Sequence, residues 1–179
     1  AALCGGINMT WDCDGAIRNC QIQSNNALSH VSGYSGKGGG IWISYLSDPI
    51  LENNKIKFNH ADAKGGGIYS GSQSNTVARN CMIQNNSSQS GGGLYLTGNA
   101  NHTYYNLVLY NNSIVDGYGA GIYNIGSNPK FYNATITDNS LTTDYPTFYK
   151  GGALYNYNGT PEFHNAVIWD NLPDELYVS

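Results

Sequence analysis

The chain has 179 residues with 8 basic and 12 acidic side chains, a formal charge of −4, and only 11% of its residues are charged. An average globular domain carries roughly a quarter. Too little positive charge is present to neutralise phosphates, which excludes a basic nucleic-acid binder. The 23 Gly and 24 Asn argue against long helices, and a 40% hydrophobic content with low net charge argues against disorder. No apolar stretch approaches the roughly 18 residues of a membrane span, so no membrane insertion by this segment is expected. A single turn-rich β domain over residues 1–179 remains, read as a segment of a longer or assembling protein.

In chain order, one pattern, N-x-x-[I/L]-x-x-N, recurs six times, starting at Asn19, Asn53, Asn80, Asn106, Asn133 and Asn165. A glycine-rich approach to Ile7, Ile41, Ile68, Leu94, Ile122 and Leu154 precedes each copy by 11 or 12 residues. Two patterns locked in phase at a period near 27 mark a stacked repeat. The intervening segments alternate apolar and polar with period two between Gly, Asn, Ser and Pro turns. They predict an all-β parallel β-helix of about six coils with three short strands per coil. Within each copy the columns headed by Ile17, Cys20 and Ile22 are expected to point inward, together with the Ile or Leu after the glycines. The Asn columns Asn19–Asn165 and Asn25–Asn171 are expected to form ladders that satisfy the turn backbone.

The segments "IQNNSSQSGGGLY" (83–95), "GAGIYNIGSNPKFYNATITDN" (119–139) and "GGALYNYNGTPEFHNAVIWDN" (151–171) carry a family likeness. They resemble repeats of secreted bacterial right-handed parallel β-helix proteins and the Gly-Gly-Ala-Ile repeats of chlamydial polymorphic outer-membrane proteins. The resemblance implies the right hand of the coil and a secreted or cell-surface bacterial location. It is specific for fold and weak for activity, because such repeats occur in adhesins, in uncharacterised surface proteins and beside enzymes.

Function is expected on outward columns. Directly after the Gly-Ile step lie Trp42, Tyr69, Tyr95, Tyr123 and Tyr155, one aromatic in each of five successive coils. Two readings stand: the rings pack on each other or on a returning loop, or the stripe is the candidate site for stacking on a glycan or a partner protein. The two longest loops, 27–40 and 140–152, add Tyr34, Tyr145 and Tyr149 beside it. A second outward column turns apolar towards the C-terminus, and the tail "LPDELYVS" is a candidate cover for Val108, Tyr110, Val167 and Trp169.

Catalysis is weighed on Asp138 and Asp170, which stack in adjacent coils as a glycosidase pair would. Their column also holds Ser24, Phe58, Asn85 and Asn111, so they read as turn residues and no catalytic residue is assigned. The four His fall in different columns and lack metal spacing, so no metal or other cofactor is expected. Cys4 and Cys13 are candidates for a disulfide closing the first coil; Cys20 and Cys81 are expected to be buried free thiols. The expected function is a non-catalytic, adhesin-like module binding glycan or a surface protein. A spacer or self-assembling subunit stacking through its end coils is the alternative, and a module of a polysaccharide lyase or glycoside hydrolase is the third reading.

Overall fold

The computed structural model describes residues 4–29, 35–142 and 150–179. All regular structure in these residues is β, arranged as four stacked sheets of seven, six, six and five strands with every pairing parallel. Each of the first five coils contributes one strand to each sheet, so successive coils lie in register along a right-handed parallel β-helix. The three strands expected per coil are present, and a fourth follows them. It is short, from Asn26–Ala27 in the first coil to Ser140–Leu141 in the fifth, and its polar sequence has no apolar period of its own.

The first sheet runs through Ile7–Thr10, Ile41–Ser44, Ile68–Ser70, Leu94–Thr97, Ile122–Ile125, Leu154–Tyr157 and Leu176–Val178. Its last strand comes from the C-terminal tail, which pairs Leu176 with Leu154 and Tyr177 with Tyr155. The tail therefore extends this sheet and leaves Tyr110, Val167 and Trp169 at 38%, 55% and 56% exposure.

Alternation along each strand decides what enters the core. Ile41, Ile68, Leu94, Ile122 and Leu154 line one wall, and Ile56, Ile83, Leu109 and Ile136 line another, all at 0–1% exposure. The column Leu51, Ala78, Tyr104 and Phe131 closes the third. There the rings of Tyr104, Phe131 and Phe163 stack 4.9 Å apart, close to the strand spacing. Each large side chain fully removed from water contributes about 1.5–3 kcal/mol. Cys81 sits in this core as expected, whereas Cys20 is exposed, because its column has a neighbouring coil on one side only.

The corners need backbone in the left-handed region. Asn19, Asn53, Asn80, Asn106, Asn133 and Asn165 all have φ between 52° and 55°, a conformation Asn tolerates better than other side chains. Five residues further on, Ser24, Phe58, Asn85, Asn111, Asp138 and Asp170 repeat it at the next corner. At the glycine corner Gly65 has φ 68°, and a Cβ on the following Gly66 would collide with the carbonyls of Ser87 and Gly92. Only glycine lets the coils approach there.

Both Asn columns form ladders, and they differ. In the exposed one each Nδ2 donates to the Oδ1 of the preceding coil, from Asn165 back to Asn19, at 2.7–3.1 Å. In the inner one Nδ2 donates forward, from Asn25 through Asn59, Asn86, Asn112 and Asn139 to Asn171, at 2.8–3.0 Å. The inner amides from Asn59 onward also donate to a main-chain carbonyl, as Asn86 does to Ile56, and each Oδ1 from Asn59 onward also accepts a backbone N–H.

Candidate functional site

The aromatic stripe exists, but it is not an open platform. Tyr69, Tyr95, Tyr123, Tyr155 and Tyr177 stack ring on ring at 4.7–5.3 Å, and Trp42 meets Tyr69 edge to face at 6.4 Å. In-register parallel strands hold like rings one strand spacing apart, so the ring faces are consumed by their neighbours. Trp42, Tyr69 and Tyr95 retain only 8%, 8% and 5% exposure. Lys37 Nζ lies 5.3 Å from the Tyr69 ring and Lys64 Nζ 5.0 Å from the Tyr95 ring, and Cys4 and Ile125 pack against the cluster. Burial pushes the Tyr69 and Tyr95 phenols up to about 12. The expectation that Trp42, Tyr69 and Tyr95 offer exposed faces is therefore corrected, while Tyr123 and Tyr155 are half-buried. Tyr34, Tyr145 and Tyr149 lie outside the described residues.

An exposed aromatic pair stands at the next corner, where the chain leaves the first sheet. In the first four coils this corner takes two consecutive left-handed residues: Trp11-Asp12, Tyr45-Leu46, Ser72-Gln73 and Gly98-Asn99. The next two coils make the same corner with one, Gly126 and Asn158. The extra residue builds a ledge across four coils. Its backbone is tied by Asp12 N–H to the Tyr45 carbonyl, Leu46 N–H to Ser72 and Gln73 N–H to Gly98, at 3.0–3.2 Å.

Side-chain size along the ledge then falls from coil to coil. Trp11 and Tyr45 stack with centroids 4.3 Å apart and planes 1° apart, and the following positions are Ser72 and Gly98. The drop leaves an open cleft of about 720 Å³ lined by Trp11, Asp12, Tyr45, Leu46, Ser72, Gln73, Gly98 and Asn99. Trp11 is 75% and Leu46 57% exposed. Bulky residues at φ 64° and 56° are strained at about 1–3 kcal/mol each, a cost that concentrates at ligand sites. The turn beneath is tied from coil to coil: Ser47 accepts from Cys13 N–H, Ser74 from Ser47 N–H, Asp14 from Asp48 N–H and Asp48 from Asn75 N–H, at 2.6–3.1 Å. An apolar ring wall with a carboxylate and two side-chain amides at its rim suits a ligand carrying both apolar faces and hydroxyls.

Sequence reasoning passed over Trp11 and Tyr45 because only two of six coils carry an aromatic there. The signal was positional: the pairs WD, YL, SQ and GN stand four and five residues after Ile7, Ile41, Ile68 and Leu94.

The remaining candidates resolve individually. Cys4 and Cys13 are free: Cys4 lies by the tyrosine ladder, its Sγ donating to the Ile7 carbonyl at 3.0 Å, while Cys13 packs on the main core. The two flank opposite faces of the first sheet, which corrects the expected disulfide. Asp138 and Asp170 occupy left-handed turn positions, and Asp138 accepts from the Thr137 hydroxyl at 3.0 Å. His60 bridges Ser87 (2.9 Å to Nδ1) and Asp62 (3.1 Å to Nε2) on the open face of the fourth sheet, with ring and carboxylate 42% and 35% exposed. Arg18 pairs with Glu52 at 3.0 Å, while the Arg79 guanidinium lies over Tyr105. His102 is fully buried, accepts the Thr76 N–H at Nδ1, and is pushed down to about 3 by desolvation.

No curated protein and no solved structure matches this chain. A family model described as right handed beta helix region matches residues 4–136. That span takes in the first four coils with their ledge and the first part of the fifth, so on sequence and on topology alike the chain belongs to the right-handed β-helix family.

Proposed function

We propose that the protein is a non-catalytic, adhesin-like module that binds a saccharide in the corner cleft, working at a secreted or cell-surface location. The observation that carries this reading is the Trp11–Tyr45 ring pair standing over the step to Ser72 and Gly98. A pyranose has an apolar face that stacks on an indole or phenol ring and an equatorial rim of hydroxyls. Asp12, Gln73 and Asn99 stand at the cleft's edge to accept from and donate to that rim. The rings are held by the ledge before any ligand arrives, so little side-chain ordering opposes binding. Exposed Trp and Tyr are also the residues on which binding energy most often concentrates.

A glycan array with the wild type, Trp11→Ala and Tyr45→Ala tests the reading. The wild type is expected to bind a hydroxyl-rich glycan, and each variant to lose about tenfold or more in affinity, worth about 1.4 kcal/mol. Melting temperatures should hold, because Trp11 is largely exposed. Silence of the wild type on the array, or binding indifferent to Trp11, would sink the proposal.

A further inference from the structure

We infer that Lys37 and Lys64 form a binding site for an oxyanion, a carboxylate, sulfate or phosphate ester, on the flank of the tyrosine ladder away from the cleft. Both lysines immediately precede a left-handed glycine, Gly38 or Gly65, and a parallel bridge sets them opposite each other in adjacent coils. Their backbones are thus one strand spacing apart, about 4.8 Å. Each ammonium lies over the ring of the next coil's tyrosine, Lys37 over Tyr69 at 5.3 Å and Lys64 over Tyr95 at 5.0 Å. The rings hold two flexible side chains side by side, with like charges adjacent.

Lys150 before Gly151 lies over Tyr177 in the same way, at 5.4 Å, but two other cations face a carboxylate in the adjacent coil. Lys130 faces Glu162 in the next coil and pairs with it at 3.1 Å; Arg18 faces Glu52 and pairs with it at 3.0 Å. Among the described residues neither Lys37 nor Lys64 has a carboxylate within ion-pair reach. Asp62, two residues before Lys64, is engaged by His60 Nε2 and by the Ser29 N–H. In-register like charges destabilise a sheet, and burial together with the Lys64 charge holds the Lys37 amine below its usual range. An anion between the two ammoniums removes that repulsion and accepts a charge-assisted hydrogen bond from each. In the following coil the row continues with the uncharged Ser90, in register with Lys64. Lysines act as point charges without the planar fork of arginine, so the site selects charge over oxyanion shape. The overall charge of −4 confines anion attraction to such a local patch.

The test titrates the full chain with sodium sulfate at fixed ionic strength, then with a sulfated oligosaccharide, a uronate oligosaccharide and their neutral parent, following backbone amide shifts. Saturable shifts at Gly38 and Gly65, lost at least tenfold in affinity in Lys37→Gln/Lys64→Gln and retained in Lys37→Arg/Lys64→Arg, are the expected result. If the oligosaccharides bind more tightly than sulfate, the ligand is an acidic group on a glycan; equal affinities identify a free anion. Shifts that fail to saturate, or that persist in the double Gln variant, overturn the inference. The site uses neither Trp11 nor Tyr45, so the lysine variants leave neutral-glycan binding unchanged and Trp11→Ala leaves the sulfate response unchanged. Each proposal can therefore fail without the other.

Discussion

The inner and outer asparagine columns use one residue type in one repeat, yet the two ladders are different devices. At Asn86 the side chain is fully buried, and four hydrogen bonds end on it: two from Asn59, one to Ile56 and one to Asn112. At Asn80 the side chain is exposed, and its amide makes one bond to Asn53 and accepts one from Asn106. In water a lost hydrogen bond is replaced; in the core it leaves bare donors and acceptors at about 1–3 kcal/mol each. The inner ladder is therefore a requirement of the interior, and the outer one chiefly supplies a residue that accepts left-handed backbone.

That contrast gives its largest consequence at Asn86→Ala, which should lower unfolding free energy by about 3 kcal/mol or more in urea denaturation. Next is the buried His102. Its imidazole binds a proton in the unfolded chain near pH 6.5 but in the folded one only near 3. Between those values the unfolded state holds the extra proton, so stability is full above pH 6.5 and falls as pH drops towards 3. The slope approaches about 1.4 kcal/mol per pH unit. Denaturation at pH 7, 5 and 4 should show this slope in the wild type and a shallower one in His102→Thr, which places the residue of the preceding coil, Thr76, in that column.

A smaller effect is expected outside. Asn80→Ala should cost about 1 kcal/mol through its φ of 53°, and Asn80→Gly should restore most of it. Equal losses at Asn80 and Asn86 would break the distinction between the ladders. Least of all, Tyr104→Phe should leave stability unchanged or raise it by up to about 1 kcal/mol. Its hydroxyl is buried with no partner among the described residues, between rings that already include Phe131.

Most of the interior was legible because repetition and alternation are strong signals when they agree. Ile22, Ile56, Ile83, Leu109 and Ile136 fell inward at the same phase of every copy. The fourth strand was invisible, since segments such as SSQS or NA carry no apolar alternation. The tyrosine stripe was placed on the correct side of its sheet, but alternation gives a side and says nothing of what lies against it. Ring stacking and the lysines of the preceding turn close Tyr69 and Tyr95. Repetition hid the cleft for the opposite reason. Trp11 and Tyr45 matter because Ser72 and Gly98 do not repeat them.

The opposed directions of the two ladders turn the solenoid into an arrow. Along the inner column every amide hands its hydrogen forward until Asn171, whose amide donates to the Glu175 carboxylate at 2.7 Å. A carboxylate can only accept, so Glu175 takes the place that the next asparagine's oxygen holds on every earlier rung. At the first coil the donor of Asn25 is spent on Asn59 and its oxygen accepts from no asparagine of the ladder, whereas Asn19 accepts from Asn53 and donates to none. A neighbouring coil would have to offer a hydrogen in one column and a lone pair in the other. The two ladders therefore give the stack a direction along its axis, one column handing hydrogens forward and the other handing them back.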